Sequence, residues 1–383
     1  MSEGYVHVEI VAAQSSKKAG APCGDLFACD RTPATTNLVC ADGIGSGVRA
    51  RIAAQLCASR LLELLKLDFS LRRAFASVAD TMQRNRDPQR PFAAFSVARV
   101  LNDGMATVLS YEAPPPILIS RGHASSLPAR PLELPGALAA ESSCWLEPGD
   151  GLLLTSDGIT QAGMGRAMPY GWQTEGVVRF VNHSLTGGAA LSEIAACVHR
   201  EALRLSPRAG DDATAVLAHC RRGQIVNLFT GPPAQKGSDY EVVRRFLQSD
   251  GIKVVCGGTT AALVARMLGR PVDVEQEAAS LVAPPRYEIE GIDLVTEGAV
   301  TLNQVYNLLD EPLDRLIEDS GVTELCVLLQ VADRVNIVLG GARNRAAGDI
   351  AFRQQGILDR EQIVPLLAAR LRAAGKLVVL ERV

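Results

Sequence analysis

Four acidic sites in this chain sit beside small residues at the edges of apolar runs: Gly24-Asp25, Asp42-Gly43-Ile44-Gly45-Ser46-Gly47, Ser156-Asp157-Gly158 and Gly210-Asp211-Asp212-Ala213-Thr214. Carboxylates are hard oxygen ligands, and hard divalent cations such as Mg²⁺ and Mn²⁺ prefer them. Lying so far apart in sequence, they act together only if a fold gathers them. Asp-Gly is also a common turn dipeptide, so the signal lies in order and spacing rather than in any one motif.

An opening G-D, then D-G-x-G-x-G leading into a long helix, then an apolar run ending in S-D-G, and last G-D-D-A-T resembles the metal-dependent PPM protein phosphatases (protein phosphatase 2C-like). The resemblance is to their bacterial, SpoIIE-like branch and covers residues 1–222. It implies a serine/threonine phosphoprotein phosphatase of the signal-transduction type, with an α-β-β-α layered β-sandwich and two Mn²⁺ or Mg²⁺ ions per active site. Two cations about 3.5–4 Å apart activate a water for direct hydrolysis of the phosphomonoester and neutralise the developing charge, so no protein nucleophile is needed.

Carried over by position, Asp42 bridges both ions and the Gly43 carbonyl reaches one, glycine letting the backbone approach without a Cβ in the way. Asp157 and Asp211 complete the first ion's shell, and Asp25 sits at the second, directly or through water. Asp42, Asp157 and Asp211 are thus the expected catalytic carboxylates. Asp212 is either an additional ligand or a residue supporting the others, and Thr214 orients its neighbours.

Ile44 stands where eukaryotic relatives carry a histidine able to protonate the leaving group, so acid catalysis of departure is expected to be weak. Tyr111-Glu112-Ala113-Pro114 replaces the Gly-His-Pro-Pro common in the branch. No arginine of the first strand matches the phosphate-binding arginine of the eukaryotic enzymes; Lys17 and Lys18 are point charges that could serve, or simply a solvated turn. Asp150, in Pro148-Gly149-Asp150, reads as a turn residue. The nine cysteines form no C-x-x-C pair, and only Cys23 and Cys40 lie near the proposed ligands. The five histidines show no ligand spacing.

The elements that must hold these residues are legible from periodicity. Tyr5–Ala12, Asp25–Asp30 and Asn37–Ala41 read as strands. Cys57, Leu61, Leu64 and Leu65 make one face of a helix over 46–65, and Leu71, Phe75, Val78 and Met82 mark another over 70–85. Strands follow at Phe92–Leu101, Met105–Tyr111, Ile117–Ser120 and Gly151–Thr155. Helical patterns return at Trp172–Val181 and Ala189–Leu205 before a closing strand, Ala213–His219. This order fits two stacked antiparallel sheets with helices outside.

The fold class is accordingly α+β, with a boundary near Arg221-Arg222-Gly223-Gln224 separating a phosphatase domain, 1–222, from a smaller α/β domain, 223–383, of regulatory or partner-binding type. In the second half strands at Ile225–Phe229, Ile252–Val255, Ile292–Val295, Leu325–Leu329, Val335–Leu339 and Leu377–Leu380 alternate with helices at Tyr240–Gln248 and Thr260–Leu268. That rhythm argues for a parallel or mixed sheet. Several of these strands end in glycine and threonine, and Gly257-Gly258-Thr259-Thr260, leading straight into a helix, is the candidate site for a small anionic ligand; tight turns are the competing explanation. No Walker or Rossmann glycine motif occurs there. A protein partner is the alternative occupant of this half.

At 383 residues, 47% hydrophobic and 21% charged, the chain can bury two sizeable cores, which must lean on aliphatic residues because aromatics are only 4%. Residues 1–222 hold 22 Lys/Arg against 21 Asp/Glu, so no basic excess points to nucleic acid. No apolar run approaches a membrane span and the N-terminus lacks a secretory pattern, so a cytoplasmic location is expected. The rival readings are a non-catalytic phosphoprotein-binding scaffold that keeps the fold, and a phosphatase of small metabolites; intact Asp25, Asp42, Asp157 and Asp211 favour the protein phosphatase.

Overall fold

The structure is a computed structural model that describes residues 5–18, 20–45, 47–84, 92–134, 137–165, 168–206, 210–276, 286–316, 319–342 and 356–383. Ser46 and Asn85, the outer limits expected for the first two helices, lie outside the described residues. The chain divides into two compact units, Val6–Arg222 and Gly223–Val383, the latter with Tyr5. Among the described residues no helix is long and apolar enough to cross a membrane.

The first unit stacks two antiparallel sheets. One holds β2 (Leu26–Arg31), β3 (Thr35–Gly43), β4 (Ala93–Leu101), β5 (Met105–Tyr111), β9 (Ala137–Trp145) and β8 (Arg130–Leu134), in that order. The other runs β1 (Val6–Ser15), β11 (Ala213–Arg222), β10 (Gly151–Thr155), β6 (Ile117–Ser120) and β7 (His123–Ser126). Helices α1 (Val48–Lys66) and α2 (Leu71–Arg84) cover the first sheet, while α4 (Gln173–Thr186) and α5 (Ile194–Leu205) cover the second; the one-turn α3 (Asp157–Thr160) follows β10.

Strand alternation explains the layering. On β3, Leu38 and Cys40 enter the core between the sheets while Val39 and Ala41 meet the helices; on β10, Leu152 and Leu154 face inward and Leu153 faces α4 and α5. α1 presents Ala53, Ala54, Cys57, Ala58, Leu61 and Leu65, a stripe rich in small residues. Aromatic rings pack where α2 meets its sheet: those of Phe75 and Phe95 lie 5.2 Å apart, and those of Phe95 and Tyr111 5.6 Å apart.

The second unit is one seven-stranded sheet: β14 (Asp273–Gln276), β15 (Arg286–Glu288), β16 (Leu294–Thr296), β13 (Ile252–Cys256), β12 (Ile225–Thr230), β17 (Arg334–Leu339) and β18 (Leu377–Arg382). From β16 to β18 all pairings are parallel; β14 and β15 add antiparallel strands at one edge. α6 (Asp239–Gln248) and α7 (Gly258–Leu268) cover one face, and α8 (Ala299–Leu308), α9 (Gly321–Val331) and α10 (Arg360–Ala373) the other. Both faces being buried accounts for the near-continuous apolar runs of these strands.

One expected strand is a helix. Leu325–Leu329 lies inside α9, because Val322, Leu325, Cys326 and Leu329 repeat at helical spacing and all reach the core, while Ser320 caps the start by accepting from the Thr323 N–H at 3.2 Å. Its mid-segment run of apolar residues imitates a buried strand.

Candidate functional site

The acidic residues converge because both sheets present the same kind of edge at one end of the sandwich. β2 begins just after Asp25 and pairs with the end of β3, Leu26 opposite Ala41, which sets Asp25 beside Asp42. β10 ends just before Ser156-Asp157 and pairs with the start of β11, Thr155 opposite Ala215, which sets Asp157 beside Asp211 and Asp212. The turns are locked: the Ser156 N–H donates to the Thr214 carbonyl at 2.9 Å, and the Thr214 N–H donates to Ser156 Oγ at 2.9 Å.

Asp25 is fully buried, and neither of its carboxylate oxygens meets a hydrogen-bond donor at bonding geometry. Burial raises its carboxyl to about 6, against the lowering influence of the Thr214 and Ser156 hydroxyls and of Asp42. Asp42 is raised well above the ordinary carboxylate range, first by burial and then by the charges of Asp25 and Asp157 on either side of it. Asp211 is also raised, by burial, although the Asp212 N–H and Lys17 favour its charge. Such a cluster of desolvated like charges is costly unless cations or protons compensate it.

The residues fit divalent ions on these grounds: an oxygen-only donor set, an orphaned buried carboxylate, and a backbone that packs too closely for any side chain at Gly43, where a Cβ would stand 1.9 Å from the Ala50 carbonyl oxygen. Among the described residues, however, no group of three or more His, Cys, Asp or Glu side chains forms a ready-made metal cage. Each outlying carboxylate is engaged elsewhere. Asp157 accepts from Gln161 Nε2 at 3.0 Å, and Asp211 lies 3.6 Å from Lys17 Nζ and accepts from the Asp212 N–H.

Asp212 is held differently from the other four. Its Oδ1 accepts from the Lys17 N–H at 2.7 Å and its Oδ2 from the Gly24 N–H at 3.0 Å, so both oxygens clamp the β1–β2 loop. Of the two roles open to it from sequence, support of the loop carrying Asp25 matches this geometry. Asp150 likewise accepts from the backbone N–H groups of Arg121 and Glu147, closing a turn away from the cluster. Burial pushes the thiols of Cys23 and Cys40 up, against thiolate chemistry. Lys18 is exposed.

Comparison with known proteins bears on the first unit. Residues 32–221 match the family model described as Stage II sporulation protein E, SpoIIE. These residues form a SpoIIE-family domain. Among solved structures, the chain is similar to the RsbU and RsbW domains of Rv1364c from Mycobacterium tuberculosis, at 18% identity and a TM-score of 0.49, covering 63% of this chain and 68% of that one. It is also similar to the PP2C phosphatase domain of SpoIIE with a fragment of its regulatory domain from Bacillus subtilis, at 19% identity and a TM-score of 0.49, covering 58% and 65%. A third likeness, to the catalytic domain of PstP in complex with two manganese ions, has 16% identity and a TM-score of 0.39, covering 56% and 99%. The chain thus spans about two thirds of the first two relatives. Comparison with curated proteins returns no match.

Two residues of the SpoIIE-type unit escaped the reading of the sequence. The Asp25 carbonyl accepts from Gln14 Nε2 at 3.1 Å and from Arg51 Nη1 at 2.6 Å, so β1 and the first turns of α1 both fix the backbone of that aspartate. Gln14 also donates to Thr214 Oγ1 at 2.9 Å, tying together the two acidic edges. A polar residue near the end of an apolar strand was the only signal for Gln14.

In the second unit, Gly257 caps α7 with φ 107° and no side-chain cap, and Gly258 and Thr259 are exposed. Thr260 is buried and accepts from the Gly231 N–H at 2.8 Å. The four residues expected to bind an anion therefore split into an open helix start and a structural hydroxyl.

Proposed function

We propose that the SpoIIE-type unit is a metal-dependent serine/threonine phosphoprotein phosphatase acting on a phosphorylated protein in the cytoplasm. The observation that carries this reading is the gathering of Asp25, Asp42, Asp157 and Asp211 at one end of the sandwich, with both oxygens of buried Asp25 unpaired. Asp42, flanked by Asp25 and Asp157, would lie between two Mn²⁺ or Mg²⁺ ions, with the Gly43 carbonyl, Asp157 and Asp211 on one side and Asp25 on the other. When bound, such ions supply a water of lowered pKa and neutralise phosphoryl charge. Asp212 and Arg51 hold the backbone that presents Asp25, and Lys17, beside Asp211, is a cation able to meet a phosphoryl oxygen. Ile44 is exposed and has no ionisable proton, so this position offers no acid to the leaving group.

Calorimetric titration of Mn²⁺ tests the assignment. Two sites are expected in the wild type, with Asp157→Asn and Asp211→Asn each weakening binding by about tenfold or more. Unchanged affinity in both variants would remove them from the metal shell.

A further inference from the structure

The parallel strands of the second unit lie in the order β16-β13-β12-β17-β18, which by chain order is third, second, first, fourth, fifth. Connections leave β12 and β17 for opposite faces, and in sheets of this kind ligands bind beyond the carboxyl ends of the strands at that divide. The two loops here are zipped together: the Gly340 N–H donates to the Thr230 carbonyl at 2.9 Å and the Ala342 N–H to the Pro232 carbonyl at 3.1 Å.

Three features mark the divide. Thr230, the last residue of β12, is 1% exposed and its hydroxyl has no partner. By strand alternation it shares the face of Val226 and Leu228, which is the face covered by α8, α9 and α10. The guanidinium of Arg360, the first residue of α10, lies across Gly231, whose φ is +83° and where a Cβ would stand 2.1 Å from Arg360 Cζ. Arg360 donates from Nη2 to the Ala342 carbonyl at 2.6 Å, but its buried Nε is unpaired and, among the described residues, no carboxylate forms an ion pair with it. Burial pushes this arginine down from its usual value. Third, Thr301 in the first turn of α8 is fully buried with an unpaired hydroxyl, and Asn303 two residues on clamps the Leu358 backbone just before α10 by accepting from its N–H and donating to its carbonyl.

A half-buried guanidinium that forms no ion pair among the described residues, its charge favoured by the neighbouring Glu361 and Asp359 but not paired with them, is costly beside an orphaned hydroxyl unless an anion completes it. The chemistry also limits the anion. Pro232 and Pro233 have no N–H, and the N–H groups of Gly231, Gly340 and Ala342 are already spent, so residues 231–233, 340 and 342 offer no backbone cradle for a pyrophosphate of the kind a dinucleotide fold uses. Among the described residues the groups left to meet an anion are side chains, and a planar guanidinium suits a single phosphate.

We propose that the carboxyl-end divide between β12 and β17 binds a small phosphate monoester, with Arg360 meeting the phosphate and Thr230 donating a hydroxyl. This site is independent of the phosphatase reading, since all its residues belong to the second unit. Calorimetry on the full chain in EDTA, in an Asp42→Asn background that silences the first unit, tests it with inorganic phosphate, a nucleoside 5′-monophosphate and a hexose phosphate as probes. At least one probe is expected to bind, with Arg360→Gln weakening it about tenfold or more and Thr230→Val by a smaller factor while leaving the unliganded melting temperature unchanged or higher. Absence of binding by all three probes would overturn the proposal. So would Arg360→Gln that lowers the melting temperature yet binds the probe as before, which would make the arginine a structural clamp only.

Discussion

At the scale of single residues, Asp25 and Asp42 are held where burial disfavours their charge. Their folded-state carboxyls are raised above the ordinary range, Asp25 chiefly by burial and Asp42 by burial and then by the charges of Asp25 and Asp157. A raised acid binds more protons folded than unfolded, so in the metal-free protein stability falls as pH rises from about 4, the unfolded value, through about 6, where Asp25 titrates when folded. Asp42→Asn removes one of the repelling charges. The metal-free variant should therefore melt a few degrees above wild type at pH 7.5, with the gap closing below about pH 5. Thermal melts in EDTA across that range check this; a variant less stable than wild type at every pH would mean that Asp42 is held by favourable contacts rather than strained by its neighbours.

At the scale of elements, the site depends on two antiparallel edges being fastened by groups that are not themselves ligands in the proposed site. Asp212 joins the β1–β2 loop to the start of β11 through the Lys17 and Gly24 N–H groups. Asp212→Ala strands both donors and should cost about 2–4 kcal/mol in denaturant unfolding, with a fall in turnover that excess Mn²⁺ does not restore. Unaltered stability would show that the loop is held by other contacts. These cross-strand roles explain what the sequence could and could not disclose. Asp25, Asp42, Asp157 and Asp211 were legible because each sits at a strand edge in a recognisable order. The clamp by Asp212 and the bonds from Gln14 and Arg51 to Asp25 depend on which strands become neighbours, which local pattern does not encode. The same holds for secondary structure. Strands with clear apolar alternation were legible, whereas β7, His123–Ser126, and β8, Arg130–Leu134, are polar edge strands with little to bury. α9 was misread because its centre is apolar on all sides, and only the wider spacing of Val322, Leu325, Cys326 and Leu329 reveals the helix.

At the scale of the whole molecule, the chain separates after Arg222 into units with their own sheets and cores, and Tyr5 belongs with the second: its carbonyl accepts from the Gly223 N–H at 2.8 Å and its ring meets Arg334. A fragment of residues 6–222 should therefore fold and hydrolyse an aryl phosphate within about threefold of the full chain. An insoluble or inactive fragment, set against an active full chain, would show that the second unit is needed to build the site. The most direct test of the central claim is hydrolysis of a phosphoseryl peptide by the full chain with Mn²⁺, with EDTA, and with Mn²⁺ after Asp42→Asn. Turnover is expected only in the first case, with a loss of at least about a hundredfold in the other two and a slower rate on hexose phosphates. Equal turnover by a folded Asp42→Asn variant at saturating Mn²⁺, or hydrolysis indifferent to EDTA, would contradict it.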